Sequence, residues 1–154
     1  MNNVGFSHGK VDMTVIEEVE ETLGIKFPES YKILLSENDY LDPVKNCFTY
    51  TEPSGDINEN SFIYAGYNDE IYGDKVKYLN QDYKDYYKQI VRFGCTGNGD
   101  DVGFDYRSNK VEPAVVLILH DWFYDQDEEN EKEWVVTLAK NFDEFVCNLY
   151  EPII

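Results

Sequence analysis

Basic residues are scarce in this chain: thirteen Lys and Arg stand against thirty-one Asp and Glu, for a formal net charge of -18 at pH 7. Binding to DNA or RNA depends on neutralising phosphates with Lys and Arg, so this balance argues against direct nucleic-acid binding. The same field disfavours anionic membrane surfaces. Long apolar runs are also missing. The longest aliphatic stretch, Ala114 to Leu119, is far too short to cross a bilayer, and the opening "MNNVGFSHGKVD" lacks the apolar core of a signal peptide. Cysteine is limited to Cys47, Cys95 and Cys147, an odd number with no close pair of the kind that zinc or redox sites use. They are expected to be reduced, small core residues of a cytoplasmic protein.

The chain does carry large apolar side chains. Hydrophobic residues make up 42% and aromatics 16%, with thirteen Tyr, which is enough to build a core despite the charge. At 154 residues one domain is expected, spanning 1–154, with residues 1–12 a candidate mobile segment. A strongly acidic surface favours a basic protein partner, because complementary fields raise association rates; solubility is the bland alternative.

The first strong signal is "TVIEEVEETLGIKFPESYKILLSEND". Ile16, Val19 and Leu23 share one helical face, Thr14 with Glu17 has the form of a capping box, and Gly24 suits a helix end. Pro28 suits the first turn of a second helix whose apolar face is Tyr31, Leu34 and Leu35. "CFTY" and "SFIYAGY" read as strands separated by a loop, "TEPSGDINEN". Residues 74–89 place Val76, Leu79, Tyr83, Tyr86 or Tyr87, and Ile90 at roughly helical spacing. "IVRFG", "VGFDY" and "AVVLIL" then read as strands, and after the acidic excursion "DWFYDQDEENEKE" a further strand, "WVVTLA", precedes a last helix, "NFDEFVCNLY".

The stretch "FGCTGNGDDVGFDY" has glycines that suit a phosphate cradle and aspartates that suit a metal. A phosphate loop, however, needs a helix after its glycines and a lysine within them; here a strand follows, and Asp100 with Asp101 repels the anion. Neither this stretch nor the set Asp125, Asp127, Glu129 and Glu131 has the central glycine and terminal glutamate of an EF-hand. Asn98-Gly99 is instead a hairpin signal, because both residues tolerate positive φ. No metal and no cofactor is expected.

In their order and spacing these pieces resemble the SUKH superfamily, in the branch that contains Smi/Knr-type cell-wall regulators and bacterial immunity proteins. The resemblance rests on "IEEVEETLGIKFPESYKILLSEND", "FGCTGNGDDVGFDY", "EPAVVLILHD" and "LAKNFDEFVCNLY". It implies an α+β fold: a single domain with a central, largely antiparallel β-sheet and flanking helices. It also implies that Glu17, Gly24, Pro28, Tyr31, Gly94, Asp105 and Phe142 mostly maintain the fold, and that there is no shared catalytic constellation.

A catalytic reading would need His120, beside Asp121, to reach Cys95 or Cys147, and no nucleophile motif surrounds either cysteine. With thirty-one acids, paired carboxylates carry no information about a glycosidase. The function that the resemblance implies is therefore binding: an immunity protein that blocks a cognate protein toxin. The charge selects a basic nuclease domain as the expected partner. The expected contact surface is the acidic excursion, with Trp122, Phe123 and Tyr124 as aromatic anchors among Asp125, Asp127, Glu128, Glu129 and Glu131. A second candidate group is Tyr64, Tyr67, Asp69 and Glu70, and a third is Asp100 and Asp101 at the hairpin tip. The alternative is a regulatory scaffold that binds endogenous partners.

Overall fold

The computed structural model describes residues 3–81, 89–120 and 135–153. The described chain forms helices α1 (Met13–Leu23), α2 (Glu29–Glu37), α3 (Val76–Leu79) and α4 (Phe142–Asn148). Its strands are β1 (Cys47–Thr51), β2 (Ile57–Tyr64), β3 (Ile90–Thr96), β4 (Asp101–Asp105), β5 (Ala114–Ile118) and β6 (Val135–Ala139). Each strand pairs antiparallel with the next, in the order β1-β2-β3-β4-β5-β6. The sheet curls until β1 and β6 approach one another, and α4 packs against β5 and β6. This is the α+β architecture expected, with one central antiparallel sheet and helices laid on it.

The helical pair forms as its apolar spacing predicts, with Ile16, Val19, Leu23, Tyr31, Leu34 and Leu35 all buried. The cap differs. Asp12, not Thr14, is the N-cap of α1: its carboxylate accepts the Thr14 N–H at 3.0 Å and the Thr14 hydroxyl at 2.9 Å. Asp and Thr serve equally well there, so the sequence alone leaves the choice between neighbours open. Gly24 ends the helix at φ 71, a conformation that suits glycine. Pro28 takes the N-cap of α2, one position earlier than expected. Glu20, although on the buried face, is satisfied: its carboxylate accepts the Phe27 N–H at 2.7 Å and Lys32 Nζ at 3.3 Å. That pair locks the turn between the two helices.

The expected loop "TEPSGDINEN" shrinks to residues 52–56. Ile57 to Asn60 pair residue by residue with Thr51 to Phe48, so they are strand. Their side chains are mostly polar and face solvent, and composition alone therefore reads them as loop. The expected helix over 74–89 is limited to Val76–Leu79 among the described residues; 82–88 lie outside them. Asn80, fully buried, fastens the end of α3 to β3 by accepting the Arg92 N–H at 2.7 Å and donating to the Arg92 carbonyl at 2.8 Å. Residues 3–12, which carry no periodic pattern, run against 36–45, with the Phe6, His8 and Val11 N–H groups donating to the Asp42, Asp39 and Ser36 carbonyls.

The glycine-rich stretch is the hairpin expected, with β3 and β4 joined through residues 97–100 and Gly99 at φ 94. Val102, Phe104 and Tyr106 point inward and are buried. There they meet an aromatic cluster centred on Tyr31, whose ring lies 5.0 Å from Phe27, 5.1 Å from Phe104, 5.5 Å from Phe93 and 5.6 Å from Phe142. Phe93 stacks on Phe104 at 4.3 Å. The expectation that all three cysteines belong to the core fails: Cys47 is buried, Cys95 half-buried and Cys147 exposed. On α4 the inward positions are taken by Phe142 and Phe145, which leaves Cys147 on the solvent side.

Burial raises the phenols of Tyr31, Tyr64 and Tyr67 above their ordinary value of 10.0, because the charged phenolate has no water there. The sign follows directly. Above the unfolded-state value the unfolded chain releases protons that the folded chain retains, so stability falls as pH rises. The urea midpoint is expected to drop between about pH 9 and about pH 11, with tyrosinate absorbance appearing together with unfolding. Tyrosinate signal that develops fully while the fold persists would contradict this.

Candidate functional site

The segment after β2, residues 65–75, is shaped by one buried carboxylate and one unusual tyrosine. Asp39, 1% exposed, accepts the Tyr40 N–H at 3.1 Å, the Tyr67 N–H at 2.9 Å and the Asn68 N–H at 3.0 Å. Tyr40 sits at φ 53, in the left-handed region. Its ring lies so close to Gly66 and Gly73 that a Cβ would come within 2.4 Å of it at the first and 2.9 Å at the second. Its hydroxyl donates to the Asn68 carbonyl at 2.9 Å, and Lys75 Nζ stands 5.9 Å from its ring centroid. Desolvation, with the charges of Asp39, Asp69 and Asp74, pushes the Tyr40 phenol up to about 12. With its backbone clamped in this way, the loop leaves Asp69, Glu70, Tyr72 and Asp74 exposed.

The structure divides the second candidate group. Asp69 and Glu70 are on the surface, Asp69 paired with Lys77 at 2.8 Å. Tyr64 and Tyr67 are not: they are 2% and 4% exposed and belong to the core. Alternation along β2 turns Phe62 and Tyr64 inward and Ile63 outward, and the Tyr67 hydroxyl meets that of Tyr31 at 2.7 Å. Neither lies on the open surface expected of it.

The third group is also corrected. Asp100 is 4% exposed and accepts both the backbone N–H of His120 at 3.0 Å and a contact from its ring Nδ1 at 2.5 Å. Asp101 pairs with Arg92 at 2.9 Å, and burial pushes its carboxyl up against the pull of that guanidinium. Asp100 is buried within the hairpin, and Asp101 is part-buried against Arg92 on the face opposite Val102. The Asp100–His120 contact fixes the glycine turn to the end of β5, where the acidic excursion departs. Ile118 pairs with Val135, so the strands that flank that excursion in sequence are neighbours on the sheet. Trp122, Phe123, Tyr124, Asp125, Asp127, Glu128, Glu129 and Glu131 lie outside the described residues.

His120 thus takes Asp100 as a carboxylate partner. The Cys95 thiol is pushed well above its ordinary value, first by desolvation and then by the charges of Asp101 and Asp74. A catalytic thiol needs the opposite shift. The cavity that reaches Cys95 is bordered by His8, not His120. Among the described residues, no three or more His, Cys, Asp or Glu side chains gather as a metal site, and no helix is long and apolar enough to cross a membrane.

An antiparallel meander under helices, with its buried carboxylates holding loops and turns, defines an α+β domain whose polar interior is structural. The family model described as SMI1-KNR4 cell-wall, SUKH_6, matches residues 14–146, and the chain belongs to this family of the SUKH superfamily. The family is generally non-catalytic. A search of curated proteins found no match.

Proposed function

We propose that the chain is an immunity protein, acting in the cytoplasm of its producer, that neutralises a cognate polymorphic toxin by occluding its active site. The observation that carries this reading is a net charge of -18 on a domain of this family. A nuclease acts on a polyanion and presents a basic cleft, and an acidic protein is suited to occupy it. The acidic excursion, Trp122 to Glu131, remains the proposed contact surface, joined by Asp69 and Glu70. A second reading, a regulatory scaffold for endogenous protein partners, is favoured by the cell-wall description of the family.

Gene neighbourhood separates the two, since an immunity gene adjoins a toxin gene. Co-expression with the adjacent toxin domain is expected to rescue growth; cells that die as fast as without the protein would end the immunity reading. Charge reversal at Asp127, Glu128 and Glu129 is expected to leave thermal unfolding unchanged and to slow association about tenfold at low salt. An unchanged stopped-flow rate would remove that patch from the interface.

A further inference from the structure

Between the N-terminal segment and the 65–75 loop lies a cavity of about 270 Å³, bordered by Phe6, His8, Tyr40, Tyr72, Asp42 and Asp74. Its aromatic wall is a chain of edge contacts. Phe6 and His8 meet edge to face at 5.2 Å, and His8 and Tyr40 do so at 5.7 Å. Phe6 is nevertheless 61% exposed and Tyr72 is 103% exposed, so the rest of the described domain does not cover these two rings. The volume falls below the roughly 300–1,000 Å³ of small-molecule pockets, so it suits one side chain better than a free ligand.

The local charges decide which side chain. Asp42, Asp69, Glu70 and Asp74 are the carboxylates around the loop, against Lys75 and Lys77, and Lys77 is already paired with Asp69. Lys75 Nζ, held by the Ile71 carbonyl at 2.9 Å, stands 5.9 Å from the Tyr40 ring centroid, so a cation is already accommodated beside that ring. Ring faces with carboxylates beside them match a guanidinium, which stacks on the first and donates to the second. We propose that this cavity receives an arginine side chain projecting from a basic protein partner. The inference rests on the reading of the chain as a binder of a basic protein, and adds an anchoring point built from residues other than those of the acidic excursion.

The test uses the full chain, labelled for amide NMR and titrated with blocked arginine, with blocked citrulline as the neutral isostere. Saturable shifts are expected at residues 6–8, 40–42 and 72–74 with arginine and not with citrulline. Tyr72→Ala is expected to weaken the arginine response about three- to fivefold, and Asp74→Asn about threefold with loss of its salt dependence. Since Tyr72 is fully exposed, its thermal unfolding should not move. Shifts equal for citrulline, shifts scattered over the acidic surface, or a response unaffected by Tyr72→Ala would overturn the assignment. The two readings fail separately. Arginine binding without protection in co-expression retains the cavity and removes the toxin, whereas protection and an unchanged dissociation rate in the Tyr72→Ala, Asp74→Asn double variant remove the cavity alone.

Discussion

Replacing Asp39 with alanine is expected to lower stability by about 4 kcal/mol, and to release the 65–75 loop from the body of the domain. The carboxylate accepts three backbone N–H groups, those of Tyr40, Tyr67 and Asn68, from a site that is 1% exposed. Each buried N–H left without a partner costs about 1–3 kcal/mol, and relief of the buried charge returns part of the sum. Asp39→Asn is the informative companion. It can keep the oxygen that serves Tyr40 and Tyr67 but sets an amide N–H₂ against the Asn68 N–H, so roughly half of the loss is expected. Urea unfolding measures the total, and amide exchange localises it: Tyr67 and Asn68 should exchange by local opening in Asp39→Ala. If those two amides stay as protected as in the parent, the loop is held by something else.

Asp39 is also a measure of what the sequence withholds. Its partners Tyr67 and Asn68 lie 28 and 29 residues away, so no local pattern connects them. Asp100 and Asp101 mislead for a related reason. Acids at a glycine turn look like solvated charge, and only the fold brings His120, 20 residues on, and Arg92, 9 residues back, to meet them. Tyr64 and Tyr67 fail differently. The stretch "SFIYAGY" is apolar on both faces, so alternation cannot say which face is inside, and pairing with β3 at Tyr64 and Gly94 settles it. The legible parts are those where one period dominates: Ile16, Val19 and Leu23 on α1; Val102 and Phe104 on β4 with Tyr106 just after it; Phe142 and Phe145 on α4. Asn98-Gly99 was legible because backbone conformation, rather than a distant partner, dictates a hairpin turn. The cavity at Phe6 and Tyr72 has no such signal, because it exists only where the N-terminal segment meets a loop far along the chain.

The largest expected loss of stability is at Tyr31. Tyr31→Ala is expected to cost about 4–5 kcal/mol, a large share of the about 5–15 kcal/mol that holds a domain folded. The residue has no exposed surface, and the rings of Phe27, Phe93, Phe104, Phe142 and Tyr64 surround it. Those rings come from the α1–α2 turn, β2, β3, β4 and α4, so the cavity left behind would open at the point where helices meet sheet and could not close by moving one element. Tyr31→Phe separates packing from polarity. It keeps the ring and removes only the hydroxyl that meets Tyr67 at 2.7 Å, for an expected cost of about 1–2 kcal/mol. The phenylalanine variant carries a further signature, because it deletes one of the raised phenols: its stability should decline less steeply in alkali than that of the parent. Equal losses for the two variants in urea would show that the hydroxyl pair, not the aromatic cluster, joins the helices to the sheet.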